Sequence, residues 1–180
     1  MKRLWIPRVL TVLLLGFASV AKTSPPSPAP PAAPAAPCSG PEHRRLDFWV
    51  GDWDAFDAGA DKPSARVKVE VVLGGCALRE VYEGVDGLHG ESFTSYDASR
   101  KLWHQTWVTN RGDLLQIDGR FDRDTLTLQG PRVGPDGRVQ IVRGVWKPQG
   151  DGVREIADRS SDGGKTWQPW FDISFKRRQH

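Results

Sequence analysis

Arg66-Val67-Lys68-Val69-Glu70-Val71 sets three valines against three charged side chains in strict alternation. Successive side chains of a strand point to opposite faces, so this run reads as a strand with one dry face and one wet face. Runs of the same character recur on both sides of it: Trp53 to Phe56, Ala77 to Tyr82, Glu91 to Tyr96, Lys101 to Val108, Leu114 to Phe121, Thr125 to Gln129, Val139 to Trp146, Val153 to Ser160 and Trp170 to Lys176. Turn-forming segments separate them, among them Gly84 to Gly90, Asp97-Ala98-Ser99-Arg100, Asn110-Arg111-Gly112-Asp113 and Pro135-Asp136-Gly137. After a short helical opening at Glu42 to Phe48, no stretch is long and periodic enough for a crossover helix. The pattern predicts an all-β, antiparallel up-and-down meander of about ten strands. A meander leaves two bare edges unless its first and last strands pair, so closure into a barrel is the simplest arrangement, with a sandwich as the alternative.

Working outward, Lys2, Arg3 and Arg8 precede the apolar run Val9 to Val20 and the small residues Ser19-Val20-Ala21. That is the plan of a secretory signal, read as residues 1–21 with cleavage after Ala21. The run is shorter than the roughly 20 apolar residues that span a bilayer, so no membrane span is expected after cleavage. Residues 22–37 are a linker rich in Pro and Ala, with nothing to bury. Residues 38–180 form one domain holding seven of the eight tryptophans. The expected location is periplasmic or secreted.

The whole chain carries 25 Lys and Arg against 22 Asp and Glu. Removing residues 1–21 takes away three bases and no acid, which leaves the remainder neutral and gives no electrostatic reason for a nucleic-acid partner. The two cysteines, Cys38 and Cys76, would meet an oxidising compartment and are expected to pair. They form no C-x-x-C, so neither a redox motif nor a zinc knuckle is indicated.

The segment Asp47-Phe48-Trp49-Val50-Gly51-Asp52-Trp53-Asp54 contains Gly-x-Trp at the head of the first strand. It resembles the signature of the calycin superfamily, the lipocalins and their relatives. Taken with Gly75-Cys76-Ala77-Leu78-Arg79-Glu80, Ser92-Phe93-Thr94-Ser95-Tyr96-Asp97 and Trp103-His104-Gln105-Thr106-Trp107, this opening resembles an exported bacterial family of unknown function over nearly the whole domain. The resemblance implies a calycin-like barrel with Trp53 closing one end. It brings no established substrate or catalytic residue.

Candidate binding residues come from polar side chains on strands that must bury one face. Trp103, Gln105 and Trp107 share one side of their strand, with His104 and Thr106 on the other, and either choice of inner face takes a polar group inside. Glu80 and Tyr82 share a face, and Arg143 and Glu155 interrupt otherwise apolar strands. The candidate ligand-binding set is Glu80, Tyr82, Trp103, His104, Gln105, Trp107 and Arg143. A polar group inside an aromatic cavity is the usual makeup of a small-molecule site, here for a small apolar or amphipathic molecule.

Two alternatives stay open. One is a haem-binding barrel resembling the nitrobindins, with His104 as the only histidine well inside a strand. The other is a solid structural or interaction domain. No cofactor is otherwise predicted. Glu80 and Glu155 are possible acid/base groups, but no nucleophile elbow, H-E-x-x-H, Walker loop or G-x-G-x-x-G is present, and the chain reads as a binding module rather than an enzyme. Ser160-Ser161-Asp162-Gly163-Gly164-Lys165-Thr166-Trp167 resembles the Asp-box of sialidases and other secreted β proteins; a single copy reads as a hairpin clasp. Arg111-Gly112-Asp113 reads as a turn.

Overall fold

The computed structural model describes residues 36–134 and 136–179. The expected signal segment and nearly all of the Pro/Ala linker lie outside the described residues. Ten strands follow one another in antiparallel pairing: β1 (Gly51–Asp57), β2 (Ala65–Val72), β3 (Ala77–Gly84), β4 (His89–Asp97), β5 (Leu102–Thr109), β6 (Leu114–Asp122), β7 (Thr125–Val133), β8 (Val139–Gln149), β9 (Gly152–Ser160) and β10 (Gln168–Arg177). Each strand pairs with the next, and β1 pairs with β10, so the sheet is a closed barrel. Closure removes the two terminal edges that an open meander would leave.

The alternation read in β2 decides which side faces in. Ala65, Val67 and Val69 are buried, while Arg66 and Lys68 are exposed on the outer face. The helical opening is two short 3-10 turns, Pro41–Arg44 and Asp47–Trp49. These turns bring Leu46 and Trp49 against Trp53, and all three are almost wholly buried. The Trp53 indole N–H donates to the Trp49 carbonyl at 2.9 Å, which satisfies the one polar atom of that ring. Arg177, opposite Trp53 in the β1/β10 register, lies over the same ring at 4.5 Å.

The plug is strapped down at two further points. Cys38 and Cys76 are joined by a disulfide, and the Arg44 guanidinium donates to the Gly75 carbonyl beside it. Arg45 covers the Phe121 ring at 4.3 Å and donates to the Arg123 carbonyl. With Trp103, Tyr96 and Phe121 in edge and tilted contacts beneath, this end of the barrel is solid.

The β9–β10 connection is a side-chain clasp. Asp162 accepts from the backbone N–H groups of Lys165 and Thr166 and from the hydroxyls of Ser160 and Thr166. Ser160 in turn accepts from the Gly164 N–H, and Gly163 and Gly164 both take positive φ. These donors hold the Asp162 carboxyl below the usual carboxylate range.

Several strands run past their expected ends, and β7 and β10 show why. β7 continues through Gly130-Pro131 to Val133, where Gly-Pro reads as a break. Its pairing with β6 stops at Gln129, and from Gly130 onward it pairs with β8 alone. A proline lacking an N–H is tolerated where one side of the strand is unpaired. β10 begins at Gln168, and a register shift between Pro169 and Phe171 marks a bulge at Trp170.

Candidate functional site

Above the plug the inner faces no longer fill the barrel. A cavity of about 370 Å³ opens at the end formed by the last residues of β1, β3, β5, β7 and β9 and the first residues of the strands between. The volume lies at the lower end of the range for small-molecule sites. Two glycines explain why it is hollow. A Cβ on Gly90 would stand 2.3 Å from the Trp107 ring, and one on Gly144 would stand 2.5 Å from the Trp146 ring. Each indole therefore lies flat across a glycine on the barrel wall instead of projecting into the centre. Tyr82 meets Trp107 edge-on at 6.0 Å. The β10 bulge brings Trp170 and Phe171 together at the rim.

The polar lining is acidic. Glu80, on β3, is 6% exposed and accepts from the Ser92 hydroxyl at 2.8 Å. Burial pushes its carboxyl up to about 7, against which the single Ser92 hydrogen bond works only in part. Glu155, on β9, is partly exposed and lines the cavity. Its carboxyl is raised well above the ordinary value, first by burial and then by the charge of Glu80. The indole N–H of Trp146 is buried without a full hydrogen bond. It lies near enough to Glu155 to favour that group's charged form. Burial also pushes the Tyr82 phenol up to about 12, assisted by Asp57, Asp86, Glu80 and Glu155, so it stays a neutral donor.

Basic residues around the cavity are already engaged. Arg111 pairs with Asp86 at 2.8 Å, and Arg132 with Asp113 at 2.9 Å. Arg132 also stacks on Trp170 at 5.3 Å, which ties the β7 end to the bulge. Glu80 and Glu155 thus face the hollow with no basic partner among the described residues.

The structure brings four of the sequence candidates together around this cavity: Glu80, Tyr82, Gln105 and Trp107. Gln105 is buried and donates to Thr94 at 3.0 Å on the neighbouring strand. Three candidates sit elsewhere. Trp103 shares the inner face of β5 but lies one layer lower, in the solid end against Tyr96 and Phe121. His104 is on the outer face, held between Asp118 at 2.7 Å and Thr106 at 2.9 Å. Arg143 turns its guanidinium outward, to Asp158 at 2.7 Å and over the Trp167 ring at 4.1 Å, so only its backbone side borders the hollow.

Trp146, Phe171 and the two wall glycines are absent from the sequence candidates. The signal for Trp146 was the small residue two positions before it, on the same face of the strand. Nothing in the local sequence marks Phe171, because the bulge that admits it depends on pairing with β9.

Among the described residues none that lines the cavity is a histidine, so the haem alternative finds no axial imidazole among them. Among the described residues, no group of three or more His, Cys, Asp or Glu side chains could hold a metal ion. No helix among them is long and apolar enough to cross a membrane.

A search of curated proteins returned no match. A family model does match, over residues 39–177, which takes in the plug and all ten strands. The chain belongs to the family described as "Protein of unknown function (DUF1579)".

Proposed function

We propose that this chain is an exported barrel that holds a small, partly apolar molecule in its open-end cavity. The observation that carries the reading is the contrast within one barrel: a solid aromatic plug below, and above it a hollow of about 370 Å³ walled by Tyr82, Trp107 and Trp146. Packed interiors leave few voids larger than a water molecule, and a hollow lined by aromatics with a few buried polar groups is the ordinary form of a ligand site. Glu80, Tyr82 and Gln105 supply the polar contacts, and Trp107 the apolar wall. Export is supported by the basic and apolar N-terminal pattern and agrees with the Cys38–Cys76 disulfide.

Native mass spectrometry of the full chain, expressed with its own N-terminus and recovered from the export compartment, tests both parts. The expected result is a chain beginning after Ala21 that carries a non-covalent adduct lost on denaturation. An uncleaved cytoplasmic chain overturns export. A clean apo mass that stays clean after incubation with small aromatic compounds overturns binding and favours a structural domain.

A further inference from the structure

The chemistry of the cavity goes further than "small and partly apolar". Resting on the binding reading above, we infer that the ligand is an amine: an apolar or aromatic body carrying a protonated nitrogen that sits between Glu80 and Glu155. The two carboxyls come from β3 and β9, which are not neighbours in the sheet, so only barrel closure brings them to one hollow. Neither has a basic partner among the described residues. Glu80 accepts one hydroxyl hydrogen bond from Ser92. The arginines at the rim are spent on Asp86 and Asp113, and Arg143 on Asp158 outside the wall.

A buried carboxylate without a cation is costly, and two in one cavity cost more, since each disfavours the charge of the other. In the empty barrel the pair meets that cost by holding a proton. An ammonium group removes the need for it, because it supplies the missing positive charge and donors for both carboxylates. The walls suit the same ligand: the faces of Trp107, Trp146 and Tyr82 attract cations as well as apolar surface. A ligand with a carboxylate or phosphate head meets the reverse. It would bring a third negative charge into a hollow where the arginines among the described residues are already paired. Trp146, with its buried N–H lacking a full partner, offers a hydrogen bond to an acceptor on the ligand body. Besides the two glutamates, the titratable and charged groups facing this space are Tyr82 on β3, Asp57 on β1, Arg132 on β7, and Arg111 and Asp113 in the β5–β6 turn.

Isothermal titration calorimetry of the full mature chain at pH 7 with three isosteric probes tests the inference: 2-phenylethylamine, 2-phenylethanol and phenylacetate. The amine is expected to bind at least tenfold more tightly than the alcohol, and phenylacetate not at all. Heats measured in buffers of different ionisation enthalpy should show net proton release for the amine and none for the alcohol. Glu80→Gln and Glu155→Gln should each weaken the amine tenfold or more and remove its advantage over the alcohol. An unchanged far-UV circular dichroism spectrum and cooperative unfolding show that the variants are folded. Equal affinity for amine and alcohol, or a preference for phenylacetate, overturns the amine assignment and leaves the binding barrel standing. Failure of all three probes to bind overturns both.

Discussion

At one end of the barrel Trp49, Trp53 and Leu46 fill the interior and are no more than 1% exposed; at the other, Trp107 and Trp146 lie against glycines and leave a cavity. The same residue type serves opposite purposes, and the neighbour decides which. Trp53 points at the axis and donates its N–H to Trp49, so it acts as a stopper. Trp107 and Trp146 are flattened by the space at Gly90 and Gly144, so they act as lining. On the proposed binding reading, the lower end therefore carries stability and the upper end holds the ligand. The two can be separated by mutation.

The largest effect should come from the stopper. Trp53→Ala removes a buried indole, its hydrogen bond to Trp49 and the ring under Arg177. The expected loss is about 3–5 kcal/mol, enough to compromise folding, and denaturant unfolding of the purified variant measures it. A variant of near-native stability would show that the plug is held by the disulfide and the Arg44 and Arg45 straps instead.

Next in size is the proton linkage of the upper end. The Glu80 carboxyl is raised from 4.5 to about 7 in the folded chain. A raised acid binds its proton more tightly when folded, so this stability is full below pH 4.5 and is lost as pH rises through 7. The loss is of the order of 3 kcal/mol, with Glu155 contributing in the same direction. Melting curves between pH 4.5 and 8 should show the wild type losing stability relative to Glu80→Gln as pH rises. A difference that does not change with pH would mean that Glu80 is more solvated than its surroundings suggest.

How far sequence reading reaches follows the same division between the two ends. The strands, their order and the faces of β2 from Ala65 to Val69 were legible because valines and charges alternate; the expected dry face ends at Val71, which is exposed near the end of the strand. Trp53 was legible as a plug through the resemblance of Gly51-Asp52-Trp53 to the calycin signature. The inner face of β5 was not, since Trp103, Gln105 and Trp107 compete with His104 and Thr106 and each side holds polar groups. Register settles it: Gln105 stands opposite Thr94 and Ile117, both buried. The meeting of Glu80 with Glu155 was legible only as a possibility, because two residues that far apart in the chain become neighbours by closure alone.

The wall glycines offer a change that affects the cavity more than the fold. Gly144→Ala sets a methyl 2.5 Å from the Trp146 ring, and Gly90→Ala sets one 2.3 Å from Trp107. The indole must swing into the hollow to relieve the clash. Such overpacking costs about 1–3 kcal/mol. Binding of 2-phenylethanol, which tests the space without the charge, should fall at least tenfold in either variant. Binding at the native level would mean that the ring relaxes along the wall.

The smallest effect is expected at His104, although its position in Trp103-His104-Gln105-Thr106-Trp107 makes it look the most functional residue of the chain. It lies on the outer face of β5, with its side chain 29% exposed. Its two ring nitrogens are taken up by Asp118 and Thr106. Asp118 does not depend on it, because Arg100 pairs with the same carboxylate at 3.1 Å. Removing the imidazole therefore leaves no buried charge unpaired and no cavity in the core, the two routes by which a polar residue becomes expensive to lose. A partly exposed ion pair of this kind contributes roughly 0–1 kcal/mol. His104→Ala should shift unfolding by no more than that and leave the affinity of both the amine and the alcohol probes unchanged. The same substitution at Gln105, one position along on the inner face, strips a buried partner from Thr94 and borders the hollow, so it should cost more in both measurements. If His104→Ala proves the more damaging of the two, the inner and outer faces of β5 have been assigned the wrong way round, and the solid and hollow ends would need to be redrawn with them.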